Sequence, residues 1–354
     1  MTEKNSTAPH TQVENIRGPL VWLGPPFFSS QLPPLGWDLI QRPHEAGRIR
    51  VWSDILALTG GRMPFAVVVA DASLPPHVAG IENFPCPAVF YSVDSHIHSW
   101  YPHYAQAFDA CLVSLRDHLP LFAKGRLAPE RVWWSPPYAR VQDRPPAVED
   151  APPREWPLLF VGTVDRERSP ERFAFMEALR DMFPGLHLTS GYFGDLYPRA
   201  DMVLNEAARA DLNFRVFEAL GCGACLITPH VGHGLDDLFT DGTDLFLYPP
   251  GDAAAVAALA FRLLETPELR RSVAQNGLAR VDAAHRSSHR AQSFSSRLLR
   301  LVEEDGKAMV AGRRADARSI HAAYLKLMYL LHADTTEIPA MRQAYLAAAQ
   351  GDTD

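Results

Sequence analysis

Residues 202–229 read MVLNEAARADLNFRVFEALGCGACLITP, and three polar residues in that segment are spaced for anion chemistry. An apolar run ends, a polar loop follows, and a helical pattern opens near Asn213. The free amides and positive dipole end of a helix N-terminus attract an anion. Arg215 stands in the first turn, and Glu218 follows three residues later on roughly the same face. The arrangement suits a diphosphate held by amides and Arg215, with Glu218 accepting hydrogen bonds from two ribose hydroxyls. The same spacing also suits an ordinary ion pair within the helix, and both readings stand.

A second cluster follows an apolar run at residues 157–162. Gly162 and Thr163 lead into Val164-Asp165-Arg166-Glu167-Arg168. Glycine at a strand end lets the backbone approach a phosphate while Arg166 supplies charge; Arg168 is the weaker candidate. A merely solvated charged loop has the same composition.

The third cluster is YSVDSHIHSWY, residues 91–101. Asp94, His96 and His98 follow a buried-strand pattern, and aromatic residues beside them can stack on a sugar ring. Asp94 or His96 is suited to take a proton from a hydroxyl. Two other readings compete. An HxH pair can bind metal, although no further ligand cluster is evident. Asp94 can also cap a helix at residues 97–107. Asp71, after the run at 65–70, is a weaker candidate of the same kind. Gly234, in Gly232-His233-Gly234-Leu235, permits close backbone approach at a strand end or simply makes a helix-entry turn.

The elements that position these clusters alternate. Strand patterns fall at residues 20–23, 37–40, 65–70, 87–93, 110–114 and 131–134, with helical stretches at 51–58 and 119–124. The continuous apolar runs suit strands buried on both faces of a parallel sheet. The pattern stops after about residue 140, where VQDRPPAVEDAPP is proline- and charge-rich and reads as a linker over 141–156. It then restarts, with strands at 157–162, 186–189, 202–204, 224–228 and 244–248. Helices are expected at 170–182, with Ser169 as cap and Pro170 at its first position. Others are expected at 213–220, from 253 to about 265 with Asp252 as cap, and from 267 to about 284. Residues 287–354 are helical in pattern, and residues 1–17 read as a disordered tail. The fold class is therefore α/β: two Rossmann-like domains, 18–140 and 157–286, facing a cleft, with a C-terminal helical extension.

Composition narrows the function. The 354 residues carry 34 Lys+Arg against 41 Asp+Glu, a net charge of -7, which disfavours nucleic-acid binding through bulk positive charge. Thirty prolines exceed the usual share of ~5%; they punctuate strand ends rather than form a tract. Cys222 and Cys225 have CxxC spacing without a second ligand pair, so tight packing is the expected role. No GxGxxG follows either first strand, which disfavours NAD or FAD. No stretch is apolar enough to span a membrane, and the expected compartment is cytoplasmic.

The runs NFRVFEALGCGACLITP and GLDDLFTDGTDLFLYPPGDAAAVAALAFRLLETPELRRSVAQNGLARV resemble the C-terminal half of GT-B glycosyltransferases, nearest the CgeB-like branch. The resemblance covers about residues 156–285; over 18–140 it is architectural. It implies that Glu218 holds a ribose, that Asn213 and Arg215 lie near a diphosphate with Gly162, Thr163 and Arg166, and that the Gly234 loop borders the nucleotide cleft. It raises Asp94 and His96 as acceptor-side groups. Many retaining members carry a second glutamate eight positions before the first; here that position is Ala210, which leaves retention or inversion open. The implied activity is sugar transfer from a nucleotide-sugar donor to a hydroxyl acceptor (glycan, lipid or protein), with no cofactor and no bound metal. A sugar-nucleotide epimerase and a non-catalytic nucleotide- or carbohydrate-binding GT-B protein share the same plan. A phosphorylase is disfavoured because no lysine precedes Lys307 in the second half.

Overall fold

The computed structural model describes residues 18–207 and 209–352; the tail expected at 1–17 lies outside the described residues. The first half builds a six-stranded sheet from β1 (Leu20–Leu23), β2 (Leu39–Arg42), β3 (Ala66–Ala70), β4 (Ala88–Ser92), β5 (Ala110–Val113) and β6 (Val132–Trp134). Its order is β2-β1-β3-β4-β5-β6, and every pairing is parallel. The second half builds a five-stranded parallel sheet from β7 (Trp156–Val161), β8 (Leu186–Thr189), β9 (Ala200–Leu204), β10 (Leu226–Pro229) and β11 (Phe246–Tyr248). Its order is β11-β10-β9-β7-β8. Each sheet reverses direction beside its first strand. Ligands of such sheets bind beyond the carboxyl ends of the strands at that reversal.

The strand expected at 37–40 begins two residues later. Trp37 turns its side chain inward, with Nε1 donating to Ser295 Oγ at 2.8 Å, and this holds the residue out of the ladder. Helices α1 (Trp52–Leu58), α2 (Tyr101–Tyr104) and α3 (Leu119–Phe122) belong to the first half. The helix expected at 97–107 is cut back to the one-turn α2 and a 3-10 turn at Ala105–Ala107. The second half carries α4 (Pro170–Met182), α5 (Phe193–Leu196), α6 (Phe214–Gly221), α7 (Leu235–Leu238), α8 (Ala253–Glu265) and α9 (Pro267–Ala284). Asp252 caps α8 by accepting from the Ala255 amide at 2.8 Å.

The C-terminal helices are α10 (Ser287–Ala315), α11 (Ala317–Ile320), α12 (Lys326–Thr335) and α13 (Pro339–Gln350). They return to the first sheet and cover both of its faces. Ala291, Phe294 and Leu298 of α10 join Trp22, Val68, Val89 and Leu112 on one face. Tyr329 and Tyr345 join Val67, Phe90 and Val113 on the other. Burying such side chains is worth about 1.5–3 kcal/mol each, so the extension belongs to the first domain's core. A buried Arg313–Asp109 ion pair fixes α10 there, and Arg313 also donates to the carbonyls of Phe84 and Cys86.

The segment between the sheets is clamped. Arg286, at the start of α10, is buried and donates to the carbonyls of Arg140, Asp143 and Gly221. Arg290 donates to those of Pro136 and Pro137. All four cysteines are buried and unpaired. No helix among the described residues is long and apolar enough to cross a membrane.

Candidate active site

A cavity of about 470 Å³ lies between the two halves. Asp94, His96 and Ile97 line it from the first domain. They sit on the turn after β4, and Asp71 at the end of β3 builds that turn. The buried Asp71 carboxylate accepts from the amides of Ser73 (2.6 Å), Val93 (2.9 Å) and Asp94 (2.7 Å), and from the Tyr101 hydroxyl. Burial raises its pKa, and those donors oppose the rise. Asp71 thus holds the turn from behind rather than facing the cavity. Asp94 does not cap a helix with its side chain; its carbonyl accepts from Ile97 and His98. His96 Nδ1 is buried without a hydrogen-bond partner.

The opposite wall comes from the second domain. Asn213, Phe214, Arg215 and Glu218 line it at the start of α6. Asn213 occupies the cap position with extended backbone, but its side chain does not bond the helix amides. Its Nδ2 instead donates to Asn205 Oδ1 at 3.3 Å, and Arg215 Nη1 donates to the same oxygen at 3.1 Å. Asn205 is buried and donates to Thr228 Oγ1 at 3.0 Å. It therefore fixes both cavity residues from below, and Asn213 Oδ1 stays buried and unpaired.

Arg215 and Glu218 do not form an ion pair among the described residues; the guanidinium lies over the Phe160 ring instead, 5.0 Å from its centroid. Arg172 of α4 lies over the same ring at 5.8 Å, pairs with Glu206 and donates to the Thr163 carbonyl. Stacking on an aromatic ring holds a guanidinium without neutralising it. Glu218 is partly buried, and its pKa is pushed up to about 7 by burial first and by Asp143 second; Arg215 and Arg140 oppose the rise.

The remaining sequence candidates fall at the edges. A Cβ at Gly162 would come 3.1 Å from Arg215 Nη2, so the missing side chain gives that arginine its place. Thr163 is exposed and contributes its carbonyl. Arg166 is exposed, with its guanidinium over the Phe173 ring of α4 and outside the cavity lining. Gly234 also lies outside the lining. It has φ +86°, and a Cβ there would meet Trp134 at 2.5 Å. Its glycine serves a close contact between the two domains.

Residues 165–296 match the family described as glycosyl transferase-like. Among solved structures, sucrose-phosphate synthase from Thermosynechococcus elongatus superposes with a TM-score of 0.57 at 14% identity, covering 81% of this chain and 100% of that one. Anabaena HepE in complex with UDP and glucose gives 0.54 at 11% identity, covering 79% and 98%. A glycosyltransferase from Rickettsia africae gives 0.54 at 9%, covering 82% and 100%. No functionally curated protein matches the sequence. The chain has the GT-B fold, and its residues 165–296 carry the glycosyl transferase-like match. The matched description is the broad family, and nothing in it singles out the CgeB-like branch.

Within this fold, the family match spans the whole second wall of the cavity and stops short of the Asp94 turn. Four polar cavity residues escaped sequence reasoning as functional groups: Arg172, Arg209, Asp211 and the cap residue Ser169. Ser169 makes no capping bond; Asp165 takes the preceding amides of Glu167 and Arg168 instead. Arg172 is the third residue of α4, within its first turn, a position with no sequence signal. Arg209 and Asp211 flank Ala210, which has φ +53°. That left-handed residue puts two charged side chains in the cavity around an exposed alanine.

Proposed function

We propose that this enzyme transfers a sugar from a nucleotide-sugar donor to a hydroxyl of a carbohydrate, lipid or protein acceptor. The observation that carries the reading is the single cavity that brings Asp94 and His96 of one domain against Arg215, Asn213 and Glu218 of the other. In this reading Glu218 accepts from the ribose hydroxyls. Arg172, Arg209 and Arg215 surround the diphosphate and stabilise the charge that grows on it as the glycosidic bond breaks. Three guanidinium groups supply that stabilisation without a metal ion. Asp94 or His96 takes the proton from the acceptor hydroxyl as it attacks the anomeric carbon.

Asp211 offers a carboxylate beside Ala210, one position from where the second family glutamate is missing, and we assign it to the hydroxyls of the donor sugar. HepE has been solved with UDP and with UDP-glucose, so uridine nucleotides are the first donors to test. The four unpaired cysteines suit a reducing, cytoplasmic compartment. A thermal-shift panel of UDP, GDP, dTDP and CMP, with Glu218→Ala as control, tests the reading. Stabilisation by one nucleotide, lost in the variant, is expected; no stabilisation by any of them overturns it.

A further inference from the structure

A second cavity, of about 430 Å³, lies behind the turn that carries Asp94 and His96. The turn is its shared wall: Asp94, His96 and Ile97 line the cleft, while Ser95 and Ser99 line the second cavity. The far wall comes from the C-terminal extension. His321–Leu325 forms a π-helical turn between α11 and α12, and Tyr324 lines the cavity from it. Such turns frequently mark functional positions in helices. His321 bonds the Ala348 carbonyl at 2.8 Å, which ties the turn to α13.

The lining has a definite chemistry. Lys124, His103, Ser99 and the Tyr324 hydroxyl line it, and none of these side chains has a hydrogen-bond partner among the described residues. Gln106 is already spent: it donates to the Pro102 and Phe122 carbonyls and accepts from the Leu127 amide. Pro102 and Leu121 supply apolar surface, and His103 faces Tyr324 with ring centroids 6.5 Å apart. No lining residue is acidic, although the chain carries a net charge of -7. Gly125 completes the wall; a Cβ there would come 2.5 Å from Gln106 Oε1 and 3.0 Å from Tyr324 Oη. The volume falls within the ~300–1,000 Å³ of small-ligand pockets.

We infer that this cavity is a binding site for a sugar bearing an anionic group, a phosphate or a carboxylate. Lys124 takes the charge, which a lysine does well as a point charge for phosphate. Ser99, His103 and Tyr324 take the hydroxyls, and Pro102 and Leu121 take the ring's apolar face. The sugar half of the assignment rests on the glycosyl-transfer reading; the anion half rests on the lining alone. Ser95 Oγ lies 2.9 Å from His118 Nδ1, so the shared wall touches the seam between the domains.

Isothermal titration of the full chain tests the site with glucose 6-phosphate, glucuronate, glucose and inorganic phosphate. At least one anionic sugar is expected to bind ten-fold or more tightly than glucose and than inorganic phosphate. Which of the two binds identifies the anion. Lys124→Ala is expected to weaken it at least ten-fold and Tyr324→Phe several-fold, both without change in Tm. Glu218→Gln and saturating UDP are expected to leave it unchanged. Absence of binding by both anionic sugars, full binding by Lys124→Ala, or displacement by UDP overturns the assignment. Equal binding of inorganic phosphate overturns its sugar half. None of these outcomes depends on whether UDP stabilises the protein, which tests the donor reading separately.

Discussion

His118 and His233 meet edge to face across the seam between the two domains, with ring centroids 5.2 Å apart and planes at 89°. Asp117 steadies the contact by accepting from the His233 amide at 2.9 Å, and an Arg116–Asp237 ion pair closes the same seam. Burial lowers the pKa of both histidines. For His118, His233 and His96 add to the lowering and Asp117 opposes it. For His233, Asp117, Asp211 and the Ala210 backbone oppose it, while His96 adds to it. Both imidazoles are therefore favoured neutral when the seam is closed. Closure is fully favoured above the ordinary value of 6.5 and weakens as pH falls through it. Activity is expected to show an acid limb with a rising donor KM below about pH 6.5. His233 has φ +53°, a conformation asparagine tolerates, so His233→Asn is expected to flatten that limb. An unchanged KM profile between pH 5.5 and 7.5 would place the titration elsewhere.

In the proposed reading Glu218 couples stability to binding. Its carboxyl titrates at about 7 in the folded chain against 4.5 when exposed. Between those values the folded state holds the extra proton, so stability falls as pH rises through the window and stays lower above it. Glu218→Gln is expected to raise Tm at pH 8 and not at pH 4.5, with a gain of at most ~3 kcal/mol before solvent screening of this partly exposed group. The same variant is expected to lose at least ten-fold in nucleotide affinity. A rise in Tm at pH 8 without loss of nucleotide binding would remove Glu218 from the ribose role.

Both sheets, their parallel sense and the helix with Arg215 and Glu218 were legible because buried parallel strands leave unbroken apolar runs and helix ends carry Pro and Gly signals. What the sequence hid is of two kinds. Asn205 and Asp71 act from beneath the surface through hydrogen bonds to distant residues, and nothing local distinguishes them from loop polar groups. Arg172 and Arg209 reach the cavity only through the ring of Phe160 and the left-handed turn at Ala210. The ion pair that i,i+3 spacing permits for Arg215 and Glu218 does not form, because Asn205 and Phe160 compete for the guanidinium more effectively.

The Phe160 ring carries two arginines, so it offers a test of the diphosphate reading. A charge-assisted hydrogen bond is worth ~1.5–3 kcal/mol, so Arg215→Ala is expected to weaken UDP binding roughly 10- to 100-fold. Arg172→Ala is expected to cost less, because the Glu206 carboxylate it pairs with already neutralises part of its charge. Phe160→Leu, which keeps the core apolar but removes the ring face, is expected to weaken UDP several-fold with both arginines present. Titration calorimetry of the three variants checks this order; full affinity in Arg215→Ala would exclude that arginine from the phosphate site.

Asp71 gives the sharpest separation of the two walls, because it acts on one of them alone. Its Oδ2 accepts the Val93 and Asp94 amides, and its Oδ1 accepts the Ser73 amide and the Tyr101 hydroxyl. Asp71→Asn replaces one of those oxygens by a donor and points it at donors. Leaving such groups unsatisfied costs roughly 1–3 kcal/mol each, and a drop in Tm of several degrees is expected. The turn bearing Asp94 and His96 loosens, while Asn213, Arg215 and Glu218 lie on the other domain. The expected kinetic result is a fall in kcat of ten-fold or more with donor KM nearly unchanged. A general loss of packing would move both parameters, and a donor KM that rises in step with the fall in kcat would show that Asp71 supports the whole cleft rather than the acceptor wall.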